Sequence, residues 1–142
     1  MLLFERQPTG SYELSAVVKA SEPGQGEAFG YSLALSGDGN HLVVGAPYEA
    51  GSGSGVDPSV DDDLPLAGAA YLFWRDPEGG WEGLGYLKAP STDPGDFFGH
   101  SVALSADGRT LVVGAPAEDG PAGDEQDPSE DSLPSSGAVY VY

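Results

Sequence analysis

The carboxylates of this chain are gathered where they could do chemistry. Residues 48–67 hold Glu49, Asp57, Asp61, Asp62 and Asp63, and residues 117–136 hold Glu118, Asp119, Asp124, Glu125, Asp127, Glu130 and Asp131. Neither stretch contains lysine or arginine, and each ends in acid followed by Leu and Pro, at Leu64 and Pro65 and again at Leu133 and Pro134. Crowded carboxylates without counter-charge repel one another, and a hard divalent cation taking about six to eight oxygen ligands relieves that repulsion. On this ground Glu49, Asp57, Asp61, Asp62, Glu118, Asp127, Glu130 and Asp131 are candidate Ca2+ ligands. Their spacing follows no regular ligand pattern, so the same residues also read as solvated loops that keep the protein soluble.

Charge narrows the partners further. Five basic side chains against twenty-three acidic ones leave a net charge of −18 over 142 residues. Nucleic acid and anionic lipid both need clustered Lys and Arg, so neither is an expected partner. The absence of cysteine excludes disulfides and thiolate metal sites. The opening residues, MLLFERQPTG, have no basic region and a short apolar run, which is the pattern of neither a signal peptide nor a membrane anchor. Export, if it occurs, is expected to use a leader outside this sequence.

The elements that position the acid are written twice. At an offset of 69 residues Lys19 falls on Lys88, Phe29 and Gly30 on Phe98 and Gly99, and Leu64 and Pro65 on Leu133 and Pro134. Even Phe4, Arg6, Pro8 and Gly10 fall on Phe73, Arg75, Pro77 and Gly79. This is a tandem duplication, with repeat 1 at about 4–72 and repeat 2 at about 73–141.

Each repeat reads as four short strands. In residues 31–36, Tyr31, Leu33 and Leu35 alternate with Ser32, Ala34 and Ser36. Asp38 and Gly39 make a hairpin turn, since both tolerate positive φ. Residues 42–46 are apolar throughout, as a strand covered on both faces must be, and Pro47 ends its ladder. Residues 69–74 and 81–88 supply the third and fourth strands around a turn at residues 76–80. Gly and Pro break every long stretch, and no window keeps a helical period. The expected fold is all-β: two four-stranded antiparallel β-propeller blades from the repeat.

Phe29, Gly30, Gly45, Ala46 and Pro47, matched by Phe98, Gly99, Gly114, Ala115 and Pro116, resemble the FG-GAP repeats of integrin α-subunit propellers. The phrases FGYSLALSGDGNHLVVGAP and GAVYVY are similar to bacterial integrin-like FG-GAP repeats of large surface proteins, over essentially the whole chain. The resemblance implies an extracellular or cell-surface binding module. Integrin repeats often carry a calcium loop between the first and second strands. Here those connections are SGDGNH and SADGRT, with one aspartate each, too few oxygens for that site. Asp38 and Asp107 are therefore read as hairpin residues. The bacterial repeats also have a long Asp- and Asn-rich segment after the GAP motif, where the acid of this chain lies.

Catalysis finds little footing. His41 follows a hairpin turn, His100 takes the place of Tyr31 on a strand, and no serine sits in a Gly-x-Ser-x-Gly elbow with partners. The chain is expected not to be an enzyme. Trp74, Trp81, Tyr86 and Tyr12 flank the turn between third and fourth strands, near a propeller's outer rim, and could stack on sugar rings or on another protein. Trp81 and Tyr12 are repeat-equivalent, which also suits a purely structural position.

The phasing of the strands sets the expected assembly. Residues 12–19 align with a fourth strand, 29–88 make a complete blade, and 98–142 give strands one to three, with residues 2–4 a stub of a preceding third strand. That is two blades, one split across the termini. Propellers run to about four to eight blades, so three copies giving six or four giving eight are the expected homo-oligomers. The alternative is a piece of a longer bacterial surface protein. The functional expectation is a non-catalytic module for adhesion, protein binding or self-assembly, with Ca2+ in the acidic loops; a lectin-like carbohydrate binder is the alternative.

Overall fold

The computed structural model describes residues 1–21, 23–56, 58, 61–120 and 133–142. Its elements are strands β1 (Leu2–Arg6), β2 (Tyr12–Val17), β3 (Ser32–Leu35), β4 (His41–Ala46), β5 (Ala69–Arg75), β6 (Trp81–Leu87), β7 (Ser101–Leu104), β8 (Leu111–Ala115) and β9 (Ala138–Val141), with no helix among the described residues. They form three antiparallel sheets, β1–β2, β3–β4–β5–β6 and β7–β8–β9. The four-stranded meander is the complete blade that the alternation of apolar residues predicts.

One expectation is corrected. The N-terminal residues are not a stub but a full strand, because Leu2, Leu3 and Phe4 are followed by a turn that folds them onto β2. Gln7 N–H donates to Ser11 O at 2.8 Å and Gly10 N–H to Gln7 O at 2.8 Å. The turn after β5 repeats this, with Asp76 N–H to Gly80 O at 2.9 Å and Gly79 N–H to Asp76 O at 3.0 Å. The register shift between Leu3 and Phe4 recurs between Leu72 and Phe73. Hairpin β1–β2 is thus a copy of β5–β6. It stands in its own sheet, separate from β7–β8–β9.

The sheets stack in one direction. One face of β3–β6 presents Leu42, Val44, Tyr71, Phe73 and Tyr86 to Val18, Met1 and Leu3 of the N-terminal hairpin. The other presents Val43, Ala70, Leu72 and Leu87 to Leu111, Val113, Tyr140 and Tyr142 of the C-terminal sheet. Repeat-equivalent residues thus play the same part in both interfaces. Phe29 packs edge-on against Tyr71 and Phe73 at 5.3 and 6.1 Å; Phe98 meets Tyr140 and Tyr142 at 5.5 and 6.4 Å. Phe98 is fully buried, a burial worth roughly 1.5–3 kcal/mol.

Glycine is demanded where backbones touch. Gly99 has φ +85°, and a Cβ on it would fall on Ala69 O. A Cβ on Gly45 would fall on Gly99 O of the next sheet and on Ser32 Oγ. The same seam is sewn by Ser32 Oγ donating to Gly99 O at 2.7 Å and Gly37 N–H donating to Ala106 O at 2.9 Å. The FG and GAP motifs are therefore the two sides of one inter-sheet contact.

Candidate functional site

At the end of β4 the chain turns inward and buries an acid. Glu49 is 2% exposed, and its carboxylate receives Lys88 Nζ at 2.5 Å, Tyr86 OH at 2.8 Å and Gly51 N–H at 2.9 Å. Lys88 is fully buried, drawn in because β6 ends beside this turn. Burial pulls the ammonium below the ordinary lysine value, and the bond and charge of Glu49 act against that pull. Burial likewise pushes the Tyr86 phenol far above its usual range, with the Glu49 hydrogen bond adding to it. Glu27 lies in the same neighbourhood, with its carboxylate accepting Gly24 N–H at 2.8 Å and its pKa raised chiefly by burial.

Glu49 is thereby committed to the protein itself: its carbonyl also accepts Gly68 N–H at 2.9 Å, tying the start of the acidic loop to its end. Asp61 stands apart from it. Its carboxylate accepts Ser52 N–H and Ser52 Oγ–H, both at 2.6 Å, and those bonds hold its pKa below the ordinary aspartate value. Asp62 and Asp63 point to solvent. Glu118, the repeat-equivalent of Glu49, is buried and accepts the Tyr140 hydroxyl, while neighbouring Asp119 accepts Ser135 N–H at 2.6 Å. The candidates Asp57, Asp127, Glu130 and Asp131 lie outside the described residues. Among the described residues no group of three or more His, Cys, Asp or Glu side chains converges on a cation position.

The hairpin aspartates sit as their spacing implied. Asp38 accepts Ser36 Oγ–H at 2.6 Å and Asn40 N–H at 3.0 Å; Asp107 accepts Ser105 Oγ–H at 2.6 Å and Arg109 N–H at 3.2 Å. Each connection is closed upon itself, and the residues present do not fit the calcium loop of integrin repeats.

The four candidate aromatics do not share a surface. Tyr12 is exposed on the outer face of β2, Trp74 is half-buried in β5, and Tyr86 is buried against Tyr71 and Glu49. Trp81 and Tyr86 do line one cleft of about 430 Å³ together with Lys19, Tyr71 and Phe73, between β2 and β6.

An aromatic row that sequence reading missed runs between the middle and C-terminal sheets. Tyr31 contacts Tyr48 at 6.1 Å and His100 at 4.9 Å, and Tyr48 contacts Phe97 at 6.0 Å. Tyr31 and His100 are repeat-equivalent, and they meet where β3 and β7 run close together. Lys88 was legible in the same way, through its pairing with Lys19, but nothing in one dimension said that it would be buried.

A model of the FG-GAP repeat matches residues 13–73 and 81–142, and no curated protein matches the chain. Each match starts at a fourth strand, β2 or β6, and runs through the following first, second and third strands. Motif, repeat and stacking agree with that match along almost the whole sequence, and the chain belongs to the FG-GAP repeat family.

Proposed function

We propose that this chain is a non-catalytic binding and assembly module that completes a propeller with further copies of itself. FG-GAP repeats indicate an integrin-like propeller module, are typically non-enzymatic, and are typical of extracellular or surface proteins. The observation that carries the reading is the bareness of the outward sheet faces. Leu2, Phe4, Leu14 and Val17 are 53–58% exposed on one end, and Val139 and Val141 are 69% and 68% exposed on the other. Contiguous apolar surface of this kind marks an interaction site.

The test is the mass in solution by light scattering on a sizing column, in about 1–5 mM Ca2+ and then in chelator. A three- or fourfold multiple of 14.5 kDa supports assembly. With a net charge of −18 per copy, association should strengthen as salt screens the repulsion. Loss of the larger mass in chelator, and not in salt-matched buffer, would assign Ca2+ to the acidic loops. A 14.5 kDa species under every condition overturns the reading.

A second reading, carbohydrate binding, is favoured by the cleft lined by Trp81 and Tyr86. A sugar panel that shifts the tryptophan fluorescence of the protein, and not that of Trp81→Phe, supports it; a flat response removes it.

A further inference from the structure

The bare outward face of the C-terminal sheet and a bare strip of the middle sheet correspond to the two sides of an interface the molecule already contains. The outward face of β7–β9 carries Ala103, Val112, Val139 and Val141, the equivalents of Ala34, Val43, Ala70 and Leu72, which in the middle sheet pack on the next sheet. What such a face covers is also bare elsewhere. Tyr31, just before β3, and Leu33 and Leu35 within it are 51%, 52% and 56% exposed, and the two leucines share a face with the buried Leu42 and Val44. Hairpin β1–β2, the equivalent of β5–β6, leaves them uncovered.

Two further features match across the same gap. In the β7–β8–β9 sheet β9 is an edge strand, whereas its equivalent β5 pairs with β6, and β2 is the repeat-equivalent of β6. Lys19, just beyond β2, is exposed, whereas its equivalent Lys88 is fully buried against Glu49, the equivalent of Glu118. Residues Met1 to Phe4 and Val139 to Tyr142 occupy the same four repeat positions, so β9 can take the place of the first half of β1 beside β2.

From these observations, and resting on the assembly reading above, we infer that a second copy of this chain completes the C-terminal sheet. The second copy's β2 pairs with β9 in the β5–β6 register, and its Tyr31, Leu33 and Leu35 lie under the outward face of β7–β9. Its Lys19 meets Glu118 as Lys88 meets Glu49. The seam repeats the one within the chain: Ser101 Oγ donates to the second copy's Gly30 O, as Ser32 does to Gly99. The contact is head-to-tail, adds two blades per copy, and closes as a ring.

The test uses a cross-link that one copy cannot make. In the β5–β6 register Leu72 faces Gly85, so Val141 faces Ala16 of the second copy. Within one copy those residues are on sheets either side of the middle one, about 20 Å apart at ~10 Å per sheet step, far beyond disulfide reach. The chain has no cysteine, so the only thiols of a protein carrying Ala16→Cys and Val141→Cys are those two, and the two single-cysteine variants, which can form only symmetric dimers between like positions, control for any other bond. Expected is a ladder of covalent multimers on a non-reducing gel, and Leu33→Asp, at a position exposed in the single copy, should weaken association at least about tenfold. An oligomeric mass with no cross-link, and with Leu33→Asp still associated, overturns this geometry and leaves the assembly reading standing. A monomer overturns both.

Discussion

His100 packs against Tyr31, the residue it replaces one repeat earlier, with ring centroids 4.9 Å apart, the rings inclined at 47° and Nε2 3.1 Å from the phenol oxygen. The pair exists because β3 and β7, the equivalent first strands of two neighbouring sheets, run close together. Both residues are exposed, so the contact is modest. A double-mutant cycle with Tyr31→Ala and His100→Ala should give a coupling of about 0.5–1 kcal/mol by urea denaturation. A coupling of zero would mean that the two rings touch without contributing to the fit between sheets.

Glu49 and Lys88 form a pair of another kind, both shielded from water. Removing one charge strands the other, and Glu49→Gln or Lys88→Met should cost about 3–5 kcal/mol. Replacing both with apolar residues, as in Glu49→Leu with Lys88→Met, should recover much of that loss, although the Tyr86 hydroxyl and Gly51 N–H then lose their acceptor. Urea midpoints of the two single variants and the double variant decide it. A double variant as unstable as either single one would show that those two hydrogen bonds, and not the charge pair, hold the loop.

The fold was readable because its signals are local and occur twice. Alternation at Leu33 and Leu35, the turn at Asp38 and Gly39, and the unbroken apolar run from Leu42 to Ala46 each fix an element without reference to the rest. The site was less readable, since burial is a tertiary property. Glu49 looked like one acid among many until the end of β6 brought Lys88 to it. Glu27 carried no signal, because its burial depends on neighbours distant in sequence. The strand at Leu2–Arg6 was underestimated for a similar reason: its worth lies in pairing with β2, which a short apolar run does not announce.

Acid should unfold the protein through its turns. Asp38 and Asp107 are held below the ordinary value of 3.8 by hydrogen bonds from Ser36 and Ser105, and Asp61 by those from Ser52. A carboxylate with a lowered folded pKa contributes stability that is complete above its unfolded value and is lost as pH falls through the folded one. Glu27 acts oppositely: its pKa is raised from 4.5, so its contribution is greatest below that value and is lost as pH rises through the raised one. Urea midpoints measured against pH should therefore decline below about pH 4, less steeply in Asp38→Asn. Glu27→Gln should gain on the parent as pH rises above 4.5. An unchanged pH profile in Glu27→Gln would show that burial does not perturb that carboxyl.

Gly45 and Gly114 are equivalent in sequence and unequal in surroundings, which separates folding from assembly. A Cβ on Gly45 would strike the backbone oxygen of Gly99, which cannot swing away, so Gly45→Ala should destabilise the single copy by several kcal/mol (about 2–4) through forced separation of two sheets. A Cβ on Gly114 would strike Ser101 Oγ, the end of a side chain free to rotate. Gly114→Ala should then fold with a loss of about 1 kcal/mol or less. In the head-to-tail ring, however, Gly114 takes the place of Gly45 and abuts Gly30 O of the next copy. The variant should remain folded by circular dichroism and fail to associate in light scattering. Association equal to the parent's would show that this face is not the one that meets another copy.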